Sequence, residues 1–490
     1  MPILLLDLLR GGFASLGSYL AAHVLLCLVP AFFIAGALAA LVPKESVTRF
    51  LGRKAPKAVS YPAAAMAGSL LAVCSCTIVP LFAGIHKKGA GIGPAVTFLF
   101  FAPAANILAL AYTGVAIGPD LAFARLFLSL AFGIGIGLIM ARIFRRADAE
   151  HDRQTDDPFA AKSKIRAGIV VFLLLLVGLL LSGTLKIGLL TDTYLQAALP
   201  ISGAERLETA LFSLIPYDAA RGEEGVTVQG LLLIVLLGLI GYTALRGFEH
   251  VHDGFTRWTW IALGLVALTQ LVAAAGIRAE AGQLTVTFPG KFFAVASALG
   301  GLGWLSRTQL SERERREWLW ESWRFVKQIF PLLVVGVFAV GVLRQLIRPE
   351  WIESLAGENT VFGNLAGVVF GVFMYFPTLV EVPIANMFLD LGMHRGPLLA
   401  YLMADPELSL QSILLVAAII GRKQAWTYVA LVALFSTAAG LIYGSWVDGA
   451  GLSRILVYLA LFLGLLAAGL AFADRRLSRS PQAAAPTTAH

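Results

Sequence analysis

Cys74 and Cys76 stand one residue apart in Cys74-Ser75-Cys76-Thr77-Ile78-Val79-Pro80, inside an apolar stretch of a 490-residue chain. Thiolate is a soft ligand suited to Cu(I), Zn and thiophilic metalloids, so this pair is the candidate metal-binding or substrate-binding element. In an unbroken helix the two side chains would point about 200° apart. They face one ligand only where the backbone unwinds, and Pro80 favours that: it removes a donor and frees carbonyls near Cys76. As a redox pair the spacing is poor, since one intervening residue makes a strained ring, and a membrane thiol oxidoreductase is the lesser reading. Cys27, alone on an apolar helix, reads as a small hydrophobe.

A second break is expected at Phe101-Ala102-Pro103-Ala104-Ala105-Asn106, where Asn106 in hydrocarbon needs a neighbouring helix or a ligand. Two further proline segments carry acids: Val380-Glu381-Val382-Pro383 and Ala404-Asp405-Pro406-Glu407. Carboxylates in long apolar segments are expensive unless they face a cavity, pair with a base or hold a proton. Glu381, Asp405 and Glu407 are therefore candidates for proton coupling or cation binding. The bland alternative is a structural pairing, for instance with Arg395 or Arg422. Cys74, Cys76, Thr77, Pro80, Asn106, Glu381, Pro383, Asp405 and Glu407 form the candidate substrate site.

These residues need elements that hold polar groups inside a bilayer. Hydrophobic residues make up 58% of the chain and charged ones only 14%, which excludes a soluble globular protein. The apolar runs are continuous rather than alternating, so helices and not barrel strands do the spanning. About thirteen spans are expected at about 20 residues each. They include 16–42, 59–85, 92–114, 121–143, 361–389 and 397–420, and a weak one at 292–305. The net charge of +8 comes from bases at the ends of apolar runs, a membrane signature rather than a nucleic-acid patch. Residues 147–164 and 191–227 read as solvated loops, and 311–327, with Trp318, Trp320 and Trp323, as an interfacial helix. No cleavable signal peptide is expected, because Asp7 interrupts the apolar start and no basic region precedes it.

An internal repeat organises the chain at an offset of 303. Pro80 matches Pro383, Gly89 matches Gly392, Gly93-Pro94 matches Gly396-Pro397 and Pro103 matches Pro406. Gly137-Leu138-Ile139 matches Gly440-Leu441-Ile442, and Pro30 matches Pro331 with a two-residue slip. The expected fold class is all-α: a polytopic helical membrane protein with two homologous four-helix repeats and proline-broken helices. The divisions are 16–145 (first repeat), 146–324 (central insertion with about four spans), 325–446 (second repeat), 447–474 (last helix) and 475–490 (disordered tail). Bases after the first helix of each repeat favour a parallel arrangement.

Cys74-Ser75-Cys76-Thr77-Ile78-Val79-Pro80-Leu81, Lys87-Lys88-Gly89-Ala90 and Ala102-Pro103-Ala104-Ala105-Asn106 together resemble the hallmark of a bacterial and archaeal predicted-permease family. Its members include YraQ-type permeases and ArsP-type exporters of trivalent organoarsenicals. Val380-Glu381-Val382-Pro383 with Gly392 to Pro397 and Asp405-Pro406 is similar to the family's second signature. The resemblance covers both repeats and implies a multi-pass permease of the inner (plasma) membrane. For ArsP-type members it also implies efflux of thiol-reactive arsenicals on cysteine ligands, here Cys74 and Cys76. The long insertion from Lys164 to about Lys327 departs from the shorter exporters.

The expected function is a secondary permease exporting a thiophilic metalloid or metal species by ion-coupled alternating access. It is expected to be no enzyme, to use no cofactor and to bind no nucleic acid. No Walker-type loop points to ATP. Its partners would be a small-molecule or metalloid substrate and the bilayer, with the oligomeric state open. The alternative is a permease for a small organic solute, or one subunit of a two-component permease.

Overall fold

The computed structural model describes residues 2–21, 24–53, 55–70, 75–155, 166–185, 187–200, 203–214, 226–280, 283–344, 350–373 and 381–451, with scattered positions from 453 to 467. Cys74, the tail and much of the 447–474 helix lie outside the described residues, as do the side chains of Cys27, Cys76 and Pro383.

The N-terminal part runs through α1 (Pro2–Ala21), α2 (Val24–Leu41), α3 (Lys44–Leu51), α4 (Lys57–Leu70), α5 (Ser75–Lys87), α6 (Ile92–Ala104), α7 (Ile107–Ala116) and α8 (Pro119–Ile143). The central part contains α9 (Arg145–Thr155), α10 (Ala167–Thr184), α11 (Gly188–Thr191), β1 (Thr193–Leu199), α12 (Ala204–Leu214), α13 (Val228–Gly247), α14 (Arg257–Ala274), β2 (Gly276–Glu280), β3 (Gln283–Pro289) and α15 (Gly290–Gln309). The C-terminal part comprises α16 (Glu312–Arg344), α17 (Glu350–Ala356), α18 (Val361–Phe373), α19 (Glu381–Asp390), α20 (Arg395–Leu408), α21 (Leu410–Ile420) and α22 (Arg422–Val447). Six described stretches are long and apolar enough to cross a bilayer, or seven if α20 and α21 are one bent span, and three shorter apolar helices join them. The chain is an all-α polytopic membrane protein.

Two expected single spans are divided. The 92–114 segment is α6 and α7, and the 397–420 segment is α20 and α21, bent by 47°. The 59–85 segment contains α4 and α5, and residues 71–74 between them lie outside the described residues. Pro103 and Pro406 lie in the last turns of α6 and α20, where the missing donor and the ring's clash with the preceding turn end the helix. After the second break Ser409 caps α21, its Oγ accepting from Ser412 N at 3.4 Å.

α6 and α20 are the buried axes. α6 is buried along its whole length and α20 from Gly396 to Leu408, as expected for helices apolar on every side. α6 packs against α4, α5 and α8, and α20 against α18, α19 and α22, while α6 and α20 also touch each other. Glycines set the close approaches. A Cβ on Gly137 of α8 would lie 2.6 Å from the Gly93 carbonyl of α6, and one on Gly440 of α22 the same distance from the Gly396 carbonyl of α20. α8 and α22 meet edge to face through Phe132 and Phe435, ring centroids 5.0 Å apart.

Three sequence expectations need correction, while the middle of the 16–42 span, residues 22 and 23, lies outside the described residues. The tryptophan-rich segment is not a separate helix but the first half of α16, a single 33-residue helix about 50 Å long. Trp318 and Trp323 are buried because each has a partner for its indole N–H: Trp318 donates to Phe33 O at 2.9 Å and Trp323 to Glu249 Oε2 at 2.8 Å. Hydrogen bonds from Lys327 and Trp323 hold Glu249, in the turn after α13, below the usual carboxylate range. The 191–227 segment contains β1 and α12. β1 joins β3 and β2 in a three-stranded antiparallel sheet of order β1-β3-β2, consistent with the alternating Leu284, Val286 and Phe288 of β3. The 147–164 loop begins as α9, whose Asp148 is buried and accepts from Ile92 N at 2.9 Å.

Candidate functional site

Ala104 ends α6 and Asn106 precedes α7, so the Ala104 carbonyl loses its helical partner in the middle of the protein. Arg125, on α8, takes up that acceptor: its Nε donates to Ala104 O at 2.8 Å. Its Nη1 donates to Thr113 Oγ1 on α7 at 3.4 Å. Its Nη2 lies 2.7 Å from Glu381 Oε1, at the first turn of α19, and both side chains are fully buried. A carboxylate in the first turn also meets the positive end of its helix dipole. One guanidinium thus ties the α6–α7 break to the start of α19.

Asp405 on α20 is fully buried and lies within electrostatic reach of both Arg125 and Glu381. Its two oxygens have no hydrogen-bond partner among the described residues. Space there is tight: a Cβ on Gly371 of α18 would come within 2.9 Å of Asp405 N. Glu407, two residues on, accepts a hydrogen bond from the hydroxyl of Tyr428 on α22 through Oε2, and its Oε1 has no described partner. One cation therefore faces two buried carboxyl groups, Glu381 and Asp405, while Glu407 answers to Tyr428. With Glu381 and Asp405 both ionised, the Arg125 cluster carries one excess negative charge, which one proton or one bound cation cancels.

The positions recur at the offset of 303. Arg125 bonds residue 104, and Tyr428, 303 positions later, bonds residue 407.

The structure brings together two of the candidates, Glu381 and Asp405, around Arg125, and turns Glu407 to Tyr428. Thr77 and Pro80 are buried in α5, which packs against α6, and Asn106 is buried at the α6–α7 break. The thiol pair assigned to metal or substrate lies outside the described residues, and so does the Pro383 side chain. Neither Arg395 nor Arg422 is the partner of Glu381; Arg395 instead binds Asp120, Nη1 to Oδ2 at 2.9 Å. Arg125, Thr113 and Tyr428 were missed. For Arg125 the signal was present, because an arginine inside the apolar 121–143 run is a functional candidate by default.

The comparisons with known proteins cover this same ground. A family described as predicted permease matches residues 10–445, which include Arg125 and all three carboxylates. The UPF0718 protein MJ0584 of Methanocaldococcus jannaschii is 33% identical over 429 residues, spanning 87% of this chain and 93% of the relative. The UPF0718 protein YraQ of Escherichia coli K12 is 28% identical over 118 residues, 24% of this chain and 34% of the relative. No solved structure matches. With apolar spans, proline-ended helices and a buried charge cluster all inside the matched region, this multi-pass membrane protein belongs to the predicted permease family.

Proposed function

We propose that the chain is a secondary permease of the cell's inner (plasma) membrane, in which Arg125, Glu381 and Asp405 couple ion movement to substrate movement. The observation that carries this reading is Asp405: a fully buried carboxylate without a hydrogen-bond partner among the described residues, set beside an ion pair that already uses the local cation. An acid so placed gains or loses a proton, or a cation, at the cost of reorganising that pair. Exchange of Arg125 between Glu381 and Asp405 would then differ between the two sides of an alternating-access cycle.

Two four-helix units, 16–145 and 325–446, would supply the moving halves. The matched glycine contacts of α6–α8 and α20–α22 support that division, and so does the recurrence of the 104/125 and 407/428 bonds. Cys74 and Cys76, beside the buried Thr77 and Pro80, are the proposed ligands for a thiophilic metalloid such as a trivalent organoarsenical, with export the direction. This substrate rests on the cysteine chemistry and on the resemblance to ArsP-type exporters.

Transport into inside-out vesicles tests both parts. With a trivalent organoarsenical, Cys74→Ala/Cys76→Ala should abolish uptake, and Asp405→Asn should abolish its dependence on a proton gradient. Unchanged uptake by the cysteine variant rejects the thiol role. Unchanged gradient dependence in Asp405→Asn rejects the coupling role.

A further inference from the structure

A cavity of about 570 Å³ opens between the central helices and the N-terminal part, lined from α2, α10, α14, α15 and α16. Its walls are apolar: Pro30 and Phe33 of α2, Leu176 and Leu179 of α10, Val266 of α14 and Leu299 of α15 contribute. Its charged lining residues are Arg307, near the end of α15, and Arg315, in the first turns of α16. Trp260, Trp304 and Trp318 stand on the same cleft, the first two more than half exposed.

The two arginines differ from their neighbours. Arg316 pairs with Glu312, Arg313 with Glu317, and Arg166 with Glu314. Arg307 and Arg315 have no acidic partner among the described residues. Arg315 donates only weakly, to Ser306 O at 3.4 Å, and its Nε is buried without an acceptor. Both stand at the bundle end where α15 turns into α16, close to the 248–253 turn, whose His252 carbonyl accepts from Arg316. Arg246 and Arg257 belong to the same end, flanking that turn in sequence.

We infer that this cleft is a binding site for one anionic phospholipid, its phosphate held by Arg307 and Arg315 and an acyl chain laid along the apolar wall toward Pro30. The chemistry fits at each level. Unpaired bases at the end of a helix bundle attract anionic headgroups, and tryptophans mark the headgroup level. Below them, from Arg307 back to Leu299, eight helical residues provide about 12 Å of apolar wall for hydrocarbon. A soluble anion would leave this wall empty, and a neutral lipid would leave the two guanidinium groups without a counter-charge. The lipid would bridge the central helices to α2, so the site joins the insertion to the permease helices.

The test uses the full chain purified in a mild detergent. Native mass spectrometry and unfolding temperature are read with added phosphatidylglycerol, phosphatidylcholine or inorganic phosphate. Phosphatidylglycerol should bind as one molecule and raise the unfolding temperature, while the other two should not. Arg307→Gln/Arg315→Gln should weaken phosphatidylglycerol binding about thirty-fold, at roughly one surface arginine's attraction each. Arg313→Gln/Arg324→Gln, which removes two charges outside the cleft, should leave it within about twofold of wild type. Ala267→Phe, filling the apolar wall, should block binding with both arginines intact. Equal binding of phosphatidylcholine, equal stabilisation by phosphate, or retained selectivity in Arg307→Gln/Arg315→Gln would overturn the assignment. The wild-type comparison of the two lipids decides even where a variant fails to fold.

Discussion

Arg125 carries more of the site than any other side chain, because its planar fork serves three acceptors at once: a helix-end carbonyl, a threonine hydroxyl and a carboxylate. Its energetic value is mostly that of avoiding an uncompensated charge. Removing one partner of a buried pair costs about 3–5 kcal/mol, whereas removing both leaves no charge to bury. Arg125→Gln alone should therefore lower the unfolding temperature in detergent sharply, and adding Glu381→Gln should restore part of it while transport stays lost. Additive losses in the double variant would contradict a direct pairing. Much of this site was legible from residues alone, since an acid next to a proline in an apolar run has few uses. Its counter-charge was not, because Arg125 and Glu381 lie on helices from opposite ends of the chain.

Among the elements, α6 and α20 decide the architecture, and glycine decides how closely their neighbours approach. Gly137 is packed so tightly that a Cβ would collide with Thr97 Oγ1 and lie 2.6 Å from the Gly93 carbonyl. Gly178, on α10, has nothing within 4 Å. Gly137→Leu should cost about 2 kcal/mol or more and reduce the yield of folded protein. Gly178→Ala should be neutral or stabilising by up to about 1 kcal/mol. Unfolding temperatures in one detergent compare the two directly. The breaks at Pro103 and Pro406 were legible because a missing N–H acts locally. Pro80, expected to unwind the backbone, instead lies inside α5, as Pro30 and Pro331 lie inside α2 and α16. The length of α16 was not: its charged first half resembles a surface helix until Trp318 and Trp323 are seen to hydrogen-bond inward. The sheet was missed for a related reason, since strands of five to seven residues are lost between much longer apolar helices.

For the whole molecule, a second charged tie joins the N-terminal and C-terminal parts. Asp120 at the start of α8 receives Arg395 of α20 and, at 2.7 Å, the hydroxyl of Tyr443 of α22. It is partly exposed, so its opening costs little and suits a contact that breaks and reforms during a cycle. Asp120→Arg and Arg395→Asp should each slow transport, and the exchanged pair Asp120→Arg/Arg395→Asp should recover much of the rate in the same vesicle assay. A double variant slower than both single ones would rule out a direct electrostatic tie.

Sequence by itself determined the solvent and the weak points of the helices. A chain with this apolar content belongs in a bilayer, where every backbone group must be satisfied within helices, and Pro103 and Pro406 mark two places where that condition fails. Tertiary structure alone decided which charge meets which. Arg125 rather than Arg395 or Arg422 answers Glu381, because the contact depends on α8 being carried past the α6–α7 break to the start of α19. No local preference of either segment encodes that meeting. It follows from packing α6 against α20 in one buried core, where an unpaired full charge is costly and the Arg125–Glu381 pair offsets that cost for both partners.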